Sequence, residues 1–308
     1  MREIIRKEFL IRSDYDDVDI HVLALYNEAD TKAVIQFSHG MCEHKERYLP
    51  IMQYLAEQGF ACIINDHRGH GESVKGDKDL GYFYTGKEIA LVEDIHDITK
   101  MLRAHMPGGM KLFLFGHSMG SLIVRAFIME YDMDIDGLIV CGSPSNNLAA
   151  GAGLVLVKML TKLKGDRHRS NLINKLVFGQ NSKGFEDRKN SWLCSDQKIV
   201  DAYNNDIRDG FIFTLNGFET LFKLVKKVYC ASNYKLQNEK LPIMFIAGAD
   251  DPVIVDKKKW TESQEFLKKI GYEHISSHLY EGMRHEILNE IKNDKVYADI
   301  LTFIKYNL

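Results

Sequence analysis

The chain has 308 residues, 45% hydrophobic and 27% charged, with a formal net charge of −3. That balance belongs to an ordinary globular protein and sets aside disordered, fibrous and membrane-embedded classes; so small a charge asks for no nucleic acid, and a small molecule is the expected partner. Five widely spaced cysteines (Cys42, Cys62, Cys141, Cys194, Cys230), none in a Cys-x-x-Cys pair, argue against a disulfide framework or a structural zinc. The charged opening Met1 to Glu8 has no apolar core of export-signal length, so a cytoplasmic location is expected.

In chain order, Ala33 to Phe37 and Ala61 to Asn65 are short β-branched-rich runs that read as strands. Between them, Leu49, Met52 and Leu55 give the stretch Tyr48 to Gln58 a helical apolar spacing. Ser38-His39-Gly40-Met41 leaves the first strand. Asp66-His67-Arg68-Gly69-His70-Gly71-Glu72-Ser73 leaves the second and packs acids and histidines together. No second cluster of zinc-like spacing accompanies it, so a tight polar loop is expected there and neither a metal nor a cofactor.

Lys111 to Phe115 and Gly137 to Cys141 repeat the strand pattern around a helix from Met119 to Tyr131. Near-continuous apolar strands of this length indicate parallel strands buried on both faces, and their alternation with helices indicates a doubly wound sheet. From about residue 144 to residue 233 the strand rhythm stops, while Leu148 to Leu163 and Phe218 to Val228 look helical. Ile243 to Ala247 and His278 to Tyr280 resume it, and an amphipathic helix is expected from Glu286 to Ile304. The expected architecture is α/β: a mostly parallel, doubly wound core in two parts, residues 1–143 and 234–308, around a helical cap insertion at 144–233.

Gly116-His117-Ser118-Met119-Gly120 is a G-x-S-x-G string, weak alone, that follows a buried strand and opens a helix. This is the setting of a nucleophile elbow, where a serine stands on a strained turn and the glycines keep side chains away from the neighbouring strand and helix. A serine hydroxyl needs a base, and the base an orienting acid. Past the strand ending at Ala247 come Asp250 and Asp251, and Asp251, stiffened by Pro252, is the preferred acid with Asp250 the alternative. His285, after the last strand and the turn at Gly282, is the expected base; His274 and His278 fall before or inside the strand. Serine, acid and histidine thus arrive in the order that hydrolases of this architecture use, each at a strand's C-terminal end. A tetrahedral intermediate also needs two backbone N–H groups, assigned to Met119 and Met41, while His39 is expected to bond the loop backbone or else to meet substrate.

At these residues the sequence resembles the monoacylglycerol lipase and lysophospholipase group of α/β-hydrolases, in its bacterial form. The matching pieces are His39 to His44 with Arg47-Tyr48, Asp66 to Ser73, Gly116 to Gly120, Gly248 to Asp251, and His285 to Glu290; Ser191 to Asp196 and Phe211 to Thr214 match within the insertion. The resemblance implies an α/β-hydrolase fold with a cap over the site. It also implies hydrolysis of monoacyl esters by a Ser118–Asp251–His285 triad, with Met41 and Met119 as oxyanion amides.

Within the cap, the apolar run Leu148 to Val157 reads either as a helix packed on the core or as an acyl-chain wall, with Leu154 and Leu156 as tentative substrate contacts. Residues 158–189 hold nine Lys or Arg against three acids. A solvated face explains such an excess, and so does peripheral contact of the cap with an anionic lipid surface. Thioester, amide or peptide chemistry is the main alternative to ester hydrolysis, because a triad specifies the acyl-enzyme step and not the leaving group.

Overall fold

A computed structural model describes residues 3–27, 31–146, 149–185 and 188–308. The elements, in chain order, are β1 (Ile5–Arg12), β2 (Asp19–Tyr26), β3 (Ala33–Ser38), α1 (Leu49–Glu57), β4 (Ala61–Asn65), α2 (Lys87–His105), β5 (Lys111–His117), α3 (Met119–Tyr131) and β6 (Gly137–Cys141). There follow α4 (Ala149–Lys164), α5 (Asn171–Phe178), α6 (Gln197–Asn205), α7 (Leu215–Val228), β7 (Ile243–Gly248), α8 (Lys257–Ile270), β8 (Ile275–Tyr280) and α9 (Asn293–Tyr306).

Among the described residues the strands form one eight-stranded sheet in the order β1-β2-β4-β3-β5-β6-β7-β8. From β4 to β8 all pairings are parallel. The apolar strands alternate their side chains between two cores. Leu112, Leu114, Leu138 and Val140 meet one layer with residues of α2, α3 and α7. Phe113, Phe115 and Ile139 meet another with residues of α1 and α9. Both faces are therefore covered, which is why these strands read as unbroken apolar runs.

The order reverses between β3 and β5: β4 lies on one side of β3, and β5 with all later strands lies on the other. A reversal of this kind opens a crevice at the strands' C-terminal ends. The loops after β3 and β5 flank it.

Three features depart from the sequence expectations. The antiparallel hairpin β1–β2 extends one edge of the sheet; β1 alternates charged, exposed residues such as Arg6, Glu8 and Arg12 with partly buried ones, so it lacks the apolar run of a central strand. Helices α2 and α8, whose outer faces carry many charges, are additional to the expected elements. The closing helix begins at Asn293 rather than Glu286. Residues 286–292 stay in turns because Glu286 and Glu290 bend back to bond Arg47, Ser195 and the Arg284 amide.

Between β6 and β7 the chain runs through α4, α5, α6 and α7. Helix α7 packs on α2 and α3 of the core, and α4 packs on α7. All five cysteines are free, and among the described residues no helix is long and apolar enough to cross a membrane.

Candidate active site

Ser118 joins β5 to α3 with φ 52° and ψ −116°, a conformation that L-residues adopt only when the surroundings impose it. Its amide is held by the Cys141 carbonyl at 2.9 Å. The two glycines of the string are required by close approach: a Cβ on Gly116 would strike the Gly120 carbonyl, and one on Gly120 would strike the Ser38 carbonyl at the end of β3. The turn therefore lifts Ser118 toward the crevice while α3 presses on β3.

Asp251 and His285 come together at the same rim. Asp251 caps a short 3-10 turn at residues 252–254, one carboxylate oxygen accepting the Val253 amide at 2.8 Å. Its other oxygen lies 2.9 Å from His285 Nδ1, and both side chains are buried. Nδ1 is thereby the protonated nitrogen, and Nε2 is left as the acceptor. Asp250 is exposed; the His274 carbonyl is tied to the Ile243 amide below the rim, and His278 lies within β8.

The loop after β3 passes close to the elbow. A Cβ on Gly40 would lie 3.2 Å from Ser118 Cβ, so Met41 follows at a point where only a glycine allows the approach. Among the described residues neither the Met41 nor the Met119 amide is spent on another protein acceptor. His39 is fully buried: its Nδ1 donates to the Gly40 carbonyl at 2.8 Å and its Nε2 accepts the His67 amide at 2.9 Å. Burial, with the neighbouring His70, lowers its pKa to about 3, so the ring is a neutral brace between two loops.

Residues that the sequence reading placed in the matching motifs but gave no role tie these loops together. The Glu43 carboxylate accepts from the Gly40 amide at 2.5 Å, Tyr48 Oη at 2.9 Å and Arg47 at 3.0 Å, and faces His117 Nδ1 at 3.2 Å. Arg47 grips Glu286 with two bonds of 2.7 Å, and His117 Nε2 meets the His285 carbonyl at 3.2 Å. The available signal was an acid and an arginine, Glu43 and Arg47, on the segment after β3, with a histidine, His117, at the end of β5.

The segment after α5 lies against this rim. The Trp192 ring sits 5.2 Å from the His285 ring, centroid to centroid, and the Leu193 carbonyl accepts the Glu286 amide at 2.7 Å. On the other side the Gly210 amide bonds the Cys42 carbonyl at 3.0 Å. On α4, Leu156 packs against the main core and Leu154 is half-buried; Leu148 lies outside the described residues.

Two acidic clusters have residue types that could hold a cation. Lys45 fills the first, its ammonium 2.8 Å from Asp66 and bonded also to Glu72. In the second, His44, Asp206 and Asp209 bring one ligand atom each within 4.8 Å of one another. Arg208 already holds Asp206 at 2.9 Å, and Arg47 approaches Asp209 at 3.6 Å, so the acids there have cationic partners.

The family model described as "Serine aminopeptidase, S33" matches residues 29–292. A monoacylglycerol lipase of Mycolicibacterium smegmatis is 24% identical over 295 residues, covering 91% of each chain. The monoglyceride lipase of Saccharomyces cerevisiae is 26% identical, covering 87% of this chain and 81% of that one. Among solved structures, a thermostable carboxyl esterase from Bacillus coagulans superposes with a TM-score of 0.89 at 26% identity, over 97% of this chain and 98% of the other.

Proposed function

The chain belongs to the family described as serine aminopeptidase S33, within the α/β-hydrolases, and from that premise we propose that it is a serine hydrolase cleaving carboxylic esters of monoacyl lipids, with Ser118, Asp251 and His285 as its triad. The observation that carries this reading is the 2.9 Å bond from His285 Nδ1 to buried Asp251 on the rim where Ser118 stands on its strained turn. Support for the substrate class comes from the relatives, two of which bear the names of monoacylglycerol or monoglyceride lipases.

In this reading Ser118 Oγ attacks the ester carbonyl carbon while His285 Nε2 takes its proton. The oxygen that becomes an anion lies between the Met41 and Met119 amides, each of which contributes about 3 kcal/mol to such a transition state by mutational precedent. Collapse expels the alcohol, which leaves with the proton from His285, and the acyl group remains on Ser118. Water, deprotonated by the same histidine, then releases the fatty acid and restores the serine.

Residues 144–233 act as a cap, since insertions at strand C-terminal ends project over the site. Its outer side includes Val155, Met159 and Leu163 on α4 and Leu172 and Leu176 on α5, all more than half exposed, next to the basic stretch noted above. That combination supports contact with an anionic lipid surface.

The test is labelling of the full chain with a fluorophosphonate probe, followed by turnover of monoacylglycerol, lysophospholipid and aminoacyl amides side by side. Labelling lost in Ser118→Ala, with turnover of monoacyl esters, is expected. Labelling that persists in the variant defeats the nucleophile, and preferential cleavage of the amides defeats the substrate class in favour of the activity in the family's description.

A further inference from the structure

His117, the residue before Ser118, is buried and has acceptors at both ring nitrogens. Nε2 faces the His285 carbonyl at 3.2 Å, an atom that can only accept, so Nε2 must carry a proton. Nδ1 faces Glu43 Oε1 at 3.2 Å, and that oxygen already receives the Gly40 amide and the Tyr48 hydroxyl. The second oxygen of Glu43 receives Arg47. With donors at both oxygens the carboxyl has no room for a proton of its own, so the proton between Glu43 and His117 belongs to the ring.

We propose that His117 is a positioning residue held as an imidazolium by Glu43, and that the pair clamps the oxyanion loop, the elbow and the base loop to one another. The inference rests on the reading of Ser118, Asp251 and His285 as a triad.

Each loop enters the clamp next to the residue it must place. Gly40 precedes Met41, His117 precedes Ser118, and the His285 carbonyl belongs to the base itself. The rings of His117 and His285 lie 4.6 Å apart, centroid to centroid, so the clamp bears directly on the base. Facing His117 are Glu43 from the oxyanion loop, with Arg47 and Tyr48 behind it, Glu286 and His285 from the base loop, and Cys141 at the end of β6 beside it; Asp251 lies beyond His285. Burial opposes a charged ring, but the Glu43 hydrogen bond and charge, with Glu286 and the His285 carbonyl, outweigh it and raise the imidazole's pKa. Burial likewise opposes an ionised Glu43, and His117 and Arg47 outweigh it, holding that carboxyl well below the usual range.

The direct measurement is long-range ¹H–¹⁵N correlation of the full chain labelled at histidine, with the His117 signal assigned by its loss in His117→Gln. Both His117 nitrogens should be protonated from pH 6 to 8. A neutral tautomer over that range overturns the proposal. The functional measurement is the rate of fluorophosphonate labelling of Ser118 in wild type, His117→Gln and Glu43→Gln, each checked for folding by thermal melting. Either substitution removes one half of the ion pair, so each should slow labelling about tenfold or more in a folded chain, and Glu43→Gln should also return the His117 ring to a neutral tautomer between pH 6 and 8, because the anion that holds its second proton is gone. Labelling of both variants at the wild-type rate overturns the clamp, and a His117 ring still doubly protonated in Glu43→Gln overturns the role of Glu43. Loss of all labelling in the wild-type chain defeats the triad instead, while the nitrogen spectra still decide the charge of His117.

Discussion

Asp251 Oδ2 lies 2.9 Å from His285 Nδ1, whereas Asp250, one residue earlier, is exposed to solvent. Adjacent carboxylates thus have different neighbours, and only one of them can hold an imidazole in a single tautomer.

That difference predicts a kinetic one. Asp251→Asn preserves shape but replaces an acceptor with a group that can turn its amide nitrogen toward Nδ1, which favours the wrong tautomer; a fall in kcat of about 10⁴ has precedent in another triad. Asp250→Asn should change kcat less than about threefold, because its carboxylate faces water. Ester turnover by the two variants, checked for folding by thermal melting, decides the matter: equal losses, or a larger loss at Asp250, overturn the assignment of the acid.

The strands from β3 to β7 and α3 were legible in the sequence because buried parallel strands leave unbroken apolar runs, and the strand-to-helix position of Ser118 was legible because such a turn needs glycines on either side; β8, Ile275-Ser276-Ser277-His278-Leu279-Tyr280, is half polar and was legible only at its end. What was not read had causes of different kinds. Strand β1 presents charges on the sheet's edge, so its composition mimics a loop, while β2 carries an apolar run, Val22 to Leu25, that the sequence reading passed over. The turns at 286–292 exist because Glu286 reaches Arg47, a partner 239 residues away. The ion pair of Glu43 with His117, 74 residues apart, is equally invisible along the chain, since each member reads as an ordinary polar residue until the sheet brings their loops side by side.

Asp209 provides a prediction on stability. It is buried between the segment after α6 and the loop after β3, facing Arg47, His44, Asp206, Glu43 and Glu286, and burial pushes its carboxyl up to about 8 despite Arg47. In the unfolded chain the same group titrates near 4. Between those values the folded state holds a proton that the unfolded state has released, so the contribution of this group to stability is full below about pH 4 and is lost as pH rises through 8. Asparagine has no proton to lose. The Tm of Asp209→Asn minus that of wild type should therefore grow from pH 5 to 8, by the equivalent of about 1 kcal/mol or more, and level off above that. A difference that is flat or shrinks over this range would show that the carboxyl is ionised throughout.

The last prediction separates the two faces of α4. Val155, Met159 and Leu163 recur at the spacing of one helical face and are 60%, 57% and 79% exposed, whereas Leu156 faces the core and Leu154 is half-buried. Covering an exposed apolar side chain of this size with lipid is favourable by roughly 1.5–3 kcal/mol. Replacing all three with serine should weaken binding to vesicles containing anionic lipid by tenfold or more, while a soluble butyryl ester is hydrolysed as before. Binding should also weaken with added salt, because the basic residues that follow act through a screened field. Leu154→Ser should behave differently: vesicle binding unchanged, and KM raised for long-chain esters alone, because each CH₂ that loses its apolar contact costs about 0.8 kcal/mol. Sedimentation with vesicles and ester kinetics over graded chain lengths measure both. If the triple variant binds vesicles as wild type does, the exposed stripe is not a lipid contact; if Leu154→Ser slows short and long esters equally, that side chain lies outside the acyl path.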